Sequence, residues 1–231
     1  MDDVAWSGFV EALDKGMPDV EIFMKNVHEY FLTHPSVRVH GKSVIHSMKR
    51  RMKDLSHLRD KIDRKSTPKR IITPDNVFEQ ITDLAGVRIL LLFQDDFTII
   101  DRSIRQKISS GDWELAEKAK AFTWDPEASE FFKKFEVEVN QRDTSYTSVH
   151  YLIKPRKDAP VCCELQVRTL FEEIWGEIDH KINYPHPTES VSCREQLRVL
   201  SKIVGAGSRL VDSIQRSLLN ESGQEPKGGN S

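Results

Sequence analysis

Apolar positions along this chain switch between helical and alternating spacing, and each switch predicts an element. Trp6, Phe9, Val10 and Leu13 share one helical face, and Val20, Phe23, Val27 and Tyr30 share another. Two helices are therefore expected in the first 34 residues, with Pro18 near the start of the second and His34-Pro35 as the stop. Ser43 to Met48 reads as a short strand and Leu55 to Arg64 as a helix. A loop bracketed by Pro68 and Pro74 follows, then a short helix over Asp75 to Ile81. Gly86-Val-Arg-Ile-Leu-Leu-Leu-Phe93 is apolar nearly throughout and too short for a helix, which predicts a buried strand. Asp95 to Ile108 has helical spacing, whereas Ser109 to Phe132 follows neither period and carries no assignment.

Three segments rich in β-branched and aromatic residues come next, Phe135 to Val139, Ser148 to Lys154 and Val161 to Val167, each predicting a strand. Helical spacing then returns at Phe171, Ile174, Trp175, Ile178 and Ile182, leaving Glu173, Glu177 and His180 on a polar side. Beyond Pro185 and Pro187, Cys193, Leu197, Leu200, Val204, Val211, Ile214 and Leu218 keep steps of four and three, with Gly207 in the skipped place. Such a seam either packs across the domain or joins subunits, and Gly205 and Gly207 weaken it. Helices, then strands alternating with helices, then helices again predict an α+β fold, a mixed β-sheet flanked by helices. The expected divisions are N-terminal helices over 1–36, a core over 37–185, a C-terminal helix over 186–220 and a disordered polar tail over 221–231.

Composition narrows the class. A hydrophobic fraction of 38% with 11 Phe and 4 Trp in 231 residues is enough for a core. The longest apolar runs, such as Ile89 to Phe93, are far short of the roughly 20 residues that span a bilayer. The start, Met1-Asp2-Asp3, lacks the basic and then apolar stretches of a secretory signal, and three cysteines make no disulfide framework, so a reducing cytoplasm is expected. Cys162 and Cys163 are adjacent in a strand and point to opposite faces, which does not suit zinc.

The net charge of −2 hides an asymmetry: Lys42 to Arg70 holds 11 Lys or Arg and 3 Asp, leaving 23 basic and 33 acidic residues elsewhere. A local basic segment on an acidic chain is either a solvated helix face or a site for a phosphate ligand. Asp83 stands just before the buried strand, and Glu164, Gln166 and Arg168 alternate on one face of another. Two carboxylates beside a basic segment suit magnesium-assisted phosphoryl chemistry, although paired acids in separate segments are commonly structural.

The order of motifs is more specific. Thr82-Asp-Leu-Ala-Gly-Val-Arg88, Ser145-Tyr-Thr-Ser-Val-His150, Glu164-Leu-Gln-Val-Arg-Thr169, Glu173-Ile-Trp175 and Glu177-Ile-Asp-His-Lys181 together resemble the synthetase domain of the RelA/SpoT family of alarmone synthetases. Met48-Lys-Arg-Arg-Met-Lys53, followed by Ser56 and Lys61, is similar to that family's opening motif. The resemblance covers about residues 37 to 185 and, without an upstream His-Asp hydrolase pattern, is to the small, synthetase-only members. It implies a nucleotidyltransferase-like fold and magnesium-dependent transfer of the β,γ-pyrophosphate of ATP to the 3′-hydroxyl of GDP or GTP, making (p)ppGpp.

Residue by residue, the resemblance implies that Arg51 and Arg88 sandwich the ATP adenine, a task suited to flat guanidinium planes, and that Lys53 contacts phosphate. Asp83 and Glu164 would be the catalytic pair and the magnesium ligands, with Glu164 also activating the 3′-hydroxyl. Their alternatives are a buried structural Arg88 and a Glu164 paired with Arg168. The acceptor set is Arg142, Tyr146, His150, Gln166 and Glu173: Tyr146 to stack on guanine, His150 and Arg142 near phosphates, and Glu173 to accept from the guanine imino and amino hydrogens. Trp175 and His180 read as packing or supporting groups.

One stretch departs from the family. Its usual Asn-Gly-Tyr-Arg-Ser run stands here as Thr144-Ser-Tyr-Thr-Ser148, which leaves an adenosine nucleotide or a tRNA end as alternative acceptors. The acidity outside residues 42–70 disfavours tRNA. A catalytically inactive nucleotide-sensing module is the alternative of a different class, and a homo-oligomer is compatible with the C-terminal seam.

Overall fold

The computed structural model describes residues 3–54, 56–142, 145–184 and 186–221. Its first half comprises α1 (Asp3–Thr33), β1 (Arg38–Val39), β2 (Lys42–Ser43), β3 (Ile45–Met52), α2 (Ser56–Lys65), α3 (Val77–Gln80), β4 (Ala85–Leu91) and α4 (Phe97–Ser109). The second half comprises β5 (Glu114–Leu115), β6 (Lys120–Thr123), α5 (Pro126–Phe132), β7 (Glu138–Gln141), β8 (Ser148–Lys154), β9 (Cys163–Thr169), α6 (Leu170–Asn183) and α7 (Val191–Glu221). Among the described residues the main sheet runs β3-β4-β9-β8-β6-β7, with β5 paired to β8. The β4–β9 and β6–β7 pairs are parallel and the others antiparallel, so the sheet is mixed and the α+β expectation holds.

Register separates the sheet into two chemically opposite faces. Val87, Ile89 and Leu91 of β4 lie beside Leu165, Val167 and Thr169 of β9, and Val149, Tyr151 and Ile153 of β8 complete that face. It is covered by one stripe of α1, where Phe9, Leu13, Val20, Phe23, Val27 and Phe31 are all buried, and by Phe97, Ile100 and Ile104 of α4. The stripe stays in phase through Pro18, so α1 is one helix rather than the two expected. Burying each such side chain contributes about 1.5–3 kcal/mol, so a few of them offset the roughly 3 kcal/mol that an interior proline costs. Gly16 belongs to the same contact: a Cβ there would run into the Phe78 ring.

Several boundaries differ from the sequence reading. The strand expected at Ser43 to Met48 runs Ile45–Met52, so the basic residues lie on β3 itself instead of after it. The segment expected as a strand at Phe135 to Val139 yields β7 only from Glu138, because the Phe135 ring closes an aromatic cluster with Phe97 at 4.9 Å and Phe131 at 5.3 Å. The unassigned stretch holds β5, β6 and α5, the last started by Pro126 and capped by Asp125, which accepts from the Glu127 N–H at 2.9 Å. The tail expected to be disordered lies, from residue 222 on, outside the described residues, as do Leu55 and Pro185. Among the described residues, no helix is long and apolar enough to cross a membrane.

The C-terminal seam is corrected more deeply. α7 buries Leu197, Ser201, Val204, Ser208 and Asp212, while Ile214 and Leu218 are exposed. The buried face turns polar because it meets backbone N–H groups: Asp212 Oδ1 accepts from Gln94 N at 2.7 Å. Arg216 pairs with Asp95 at 2.5 Å, and Arg209 pairs with Asp125. At the other end Trp175 of α6 donates its indole N–H to the Leu197 carbonyl at 3.1 Å.

Burial pushes the carboxyls of Asp96 and Asp212 up to about 6 and that of Glu172 up to about 7. The folded chain therefore holds these protons more tightly than the unfolded chain, and their contribution to stability is full below pH about 4 and lost as pH rises through 6 to 7. Thermal unfolding should show a Tm that falls between pH 5 and pH 8. Asp212→Asn, which keeps an acceptor oxygen, should raise Tm at pH 8 by about 2–4 °C and change little at pH 4.5.

Candidate active site

The second face of the sheet gathers the polar residues. Arg51 pairs with Gly86 and Lys49 with Arg88 across β3 and β4, while Gly86 lies beside Glu164 and Arg88 beside Gln166 across β4 and β9. His150 lies opposite Gln166 on β8. Strand alternation thus sends Lys49, Arg51, Arg88, Glu164, Gln166 and His150 to one side, away from the core. These strands and α6 enclose a cleft of about 650 Å³, lined among others by Arg51, Arg88, Tyr146, Glu164, Gln166 and His180. Its size suits a nucleotide-scale ligand.

At one end stands Asp83, held where β4 begins. Its Oδ2 accepts from Lys53 Nζ at 2.9 Å and from Lys61, and these cations hold the carboxyl at about 2 although burial alone would raise it. Lys53 is fixed in turn by its backbone N–H, which donates to the Leu84 carbonyl at 2.8 Å. The other oxygen, Oδ1, is buried with no hydrogen-bond partner among the described residues. A buried orphan oxygen beside two lysines is costly as it stands and well suited to a hard cation carrying phosphate.

Glu164 sits next to Gly86. Its Oε1 meets His150 Nδ1 at 3.0 Å and its Oε2 accepts from Gln166 Nε2 at 2.9 Å. Burial acts to raise this carboxyl, yet the hydrogen bonds from His150 and Gln166 hold it below its usual value. His150 Nε2 in turn meets the Tyr146 hydroxyl at 2.9 Å, so Tyr146, His150 and Glu164 form one chain. Arg168 does not pair with Glu164; it pairs with Glu173.

Residues 50–189 match the family described as the region found in RelA / SpoT proteins. The chain belongs to the RelA/SpoT family. Along 222 residues it is 25% identical to GTP pyrophosphokinase YjbM of Bacillus subtilis (strain 168), covering 93% of this chain and 89% of that one. Small alarmone synthetase 1 from Bacillus subtilis has the same fold, with a TM-score of 0.64 at 19% identity over 95% of this chain and all 100% of its own. The structure of that synthetase bound to its product pppGpp gives 0.61 at 22% identity, over 96% of this chain and 100% of that one.

Of the residues that the RelA/SpoT motifs single out, the fold brings Arg51, Lys53, Asp83, Arg88, Tyr146, His150, Glu164 and Gln166 to one side of the sheet or its rim. Arg142 stands further off and exposed, its guanidinium 4.3 Å above the Phe122 ring, which packs edge-on against His150 at 5.0 Å. Thr144, within the run that departs from the family, lies outside the described residues, as does the side chain of Ser56. Glu173 is buried at the back of the cleft, where it accepts from Lys49 at 2.8 Å, from Arg88 at 3.0 Å and from Arg168. Those three cations outweigh the effect of burial and hold it at about 2. Lys49 and Glu177 fall within the quoted motifs but carry no role in the motif reading; the alternation that places Arg51 on the cleft face also places Lys49 there, and that signal was available.

The Arg168 guanidinium lies so close to α6 that a Cβ on Gly176 would come within 2.7 Å of it. Arg168 is 4% exposed, so its partner carboxylate is structural as well as polar. Glu173→Ala should lower the unfolding free energy by about 3–5 kcal/mol in urea denaturation, because a buried guanidinium loses its counter-charge. Glu177→Ala should cost less than about 1 kcal/mol, since that carboxylate is 52% exposed.

Proposed function

We propose that this chain transfers the β,γ-pyrophosphate of ATP to the 3′-hydroxyl of GDP or GTP, with magnesium, making (p)ppGpp. The observation that carries the reading is the gathering, on one sheet face and at its rim, of two ionised carboxylates, Asp83 and Glu164, with the cations Arg51, Lys53, Lys61 and Arg88. Membership of the RelA/SpoT family and likeness to a GTP pyrophosphokinase support it.

In that reaction the acceptor 3′-oxygen attacks the β-phosphorus of ATP, the bond from that phosphorus to the α,β-bridging oxygen breaks, and AMP leaves. Lys53 and Lys61 hold the triphosphate, and in doing so release Asp83 Oδ2. Magnesium, for which Asp83 Oδ1 and Glu164 would be the protein ligands, neutralises charge on the transferred group when bound. Glu164 takes the proton of the 3′-hydroxyl, oriented by His150 on one oxygen and Gln166 on the other. Arg51 and Arg88 take the adenine between them. Arg88 must turn from Glu173 and Glu177 to do so, and this frees an oxygen of Glu173 for the guanine edge while Arg168 keeps that carboxylate ionised.

The acceptor is where a second reading has an observation behind it. Thr147, which stands in place of the family's arginine, turns away from the cleft to meet Thr123 Oγ1 at 3.0 Å, so the acceptor pocket lacks a cation there. An adenosine nucleotide or a tRNA end would use the same donor chemistry.

Transfer of label from γ-labelled ATP should be measured with GDP, GTP, ADP, ATP and deacylated tRNA as separate acceptors. The expected outcome is labelled product from guanine nucleotides alone. Glu164→Gln should bind ATP within about threefold of wild type and lose turnover by at least about 100-fold. Full turnover in that variant would remove Glu164 from the chemistry, and absence of transfer to every acceptor would favour a nucleotide-sensing module.

A further inference from the structure

A second cavity, of about 380 Å³, lies where α7 crosses α5 and the start of α6. It backs onto the cleft, because Tyr146 and Glu173 face the cleft while their neighbours Thr147 and Glu172 face this cavity. Trp124 and Phe131 supply apolar wall. The remaining lining is acidic in excess: Asp95, Asp125, Glu127, Glu172 and Asp212 against Arg209 and Arg216.

Both arginines are already committed. Arg209 pairs with Asp125 and with Glu127 at 3.2 Å, and Arg216 pairs with Asp95 at 2.5 Å. Glu172 and Asp212 have no ion-pair partner among the described residues; Glu172 accepts the Thr169 N–H at 2.7 Å, and Asp212 accepts the Gln94 N–H. A third, independent group points the same way. Ser208 is 3% exposed and lines the cavity, yet its Oγ has no hydrogen-bond partner among the described residues. A hydroxyl so placed would ordinarily bond back to its own helix, as Ser201 does to the Arg198 carbonyl at 2.8 Å.

We propose that this cavity binds a small organic cation, an alkylammonium or guanidinium, whose charge meets Glu172 and Asp212, whose N–H donates to Ser208 Oγ, and whose carbon body lies against Trp124 and Phe131. A metal ion fits less well, since among the described residues no three His, Cys, Asp or Glu side chains are grouped to hold one. An organic cation needs fewer ligands and gains from aromatic wall. The upward push that burial gives the Glu172 and Asp212 carboxyls is the cost that such a cation would relieve. The inference is independent of the pyrophosphate transfer and does not require the cleft to be occupied.

Titration calorimetry of the full chain at pH 8 with 1,4-diaminobutane and with butylamine tests it, against sodium and magnesium chloride at matched ionic strength. The expected result is saturable one-to-one binding with a Kd below about 1 mM and a raised Tm that the salts do not reproduce. The Glu172→Gln, Asp212→Asn double variant keeps the helix-capping acceptor and an acceptor for the Gln94 N–H, and it should bind at least about tenfold more weakly. Ser208→Lys, which would deliver a tethered ammonium, should lose the added amine altogether. Unchanged affinity in the double variant, an equal shift from either salt, or no binding by the wild type would overturn the proposal. Should Ser208→Lys fail to fold, the double variant decides.

Discussion

Four cationic side chains, Lys49, Arg51, Arg88 and Arg168, are carried by adjacent strands onto the face of the sheet opposite its hydrophobic core. Left alone they would repel one another, and Arg168 would be a buried charge without a partner. One carboxylate, Glu173 on the first turn of α6, accepts from Lys49, Arg88 and Arg168 and so ties β3, β4 and β9 to the helix that roofs the cleft. The contact holds α6 against the sheet, sets the Arg168 guanidinium where a Cβ on Gly176 would displace it, and places Trp175 to reach α7. It also fixes the position of Arg88, whose guanidinium donates to Glu173 at the back of the cleft.

The sheet links stability to chemistry through parity. Glu164, Gln166 and Arg168 point to the cleft because Leu165 and Val167 between them point to the core, and the same holds for Arg88 between Val87 and Ile89. A one-residue slip in either strand would bury charges and expose aliphatic side chains, so the hydrophobic core enforces the spacing of the polar groups that line the cleft. Asp83, at the strand's entrance, inherits its position from the same register, and the backbone bond from Lys53 to Leu84 keeps its lysine beside it.

Much of this was legible in residues. The motif order gave the family, and the helices and strands with strong periods, β8 and α6 among them, fall close to where their spacing puts them. Elements failed where local preference and tertiary contact disagree. Pro18 suggests a helix break, but the stripe on either side of it packs on a single sheet face. β6, four residues long, exists by pairing, which no local pattern announces, and β7 is announced only at its first two residues. The apolar spacing of α7 runs on past Gly205 and Gly207 to Leu218, yet from Ser208 onward its buried positions are polar because the surface beneath includes backbone donors and carboxylates.

The sequence by itself determined the fold class and the family, because these follow from periodicity and from the order of short motifs along one chain. Tertiary structure alone decided which charges pair. Glu173 stands five residues from Arg168 but 85 from Arg88 and 124 from Lys49, and Asp212 meets a backbone N–H 118 residues away. Electrostatic energy depends on distance and burial in space, and neither is carried by sequence separation; the cleft and the acidic cavity behind it could be seen only once the strands were laid side by side.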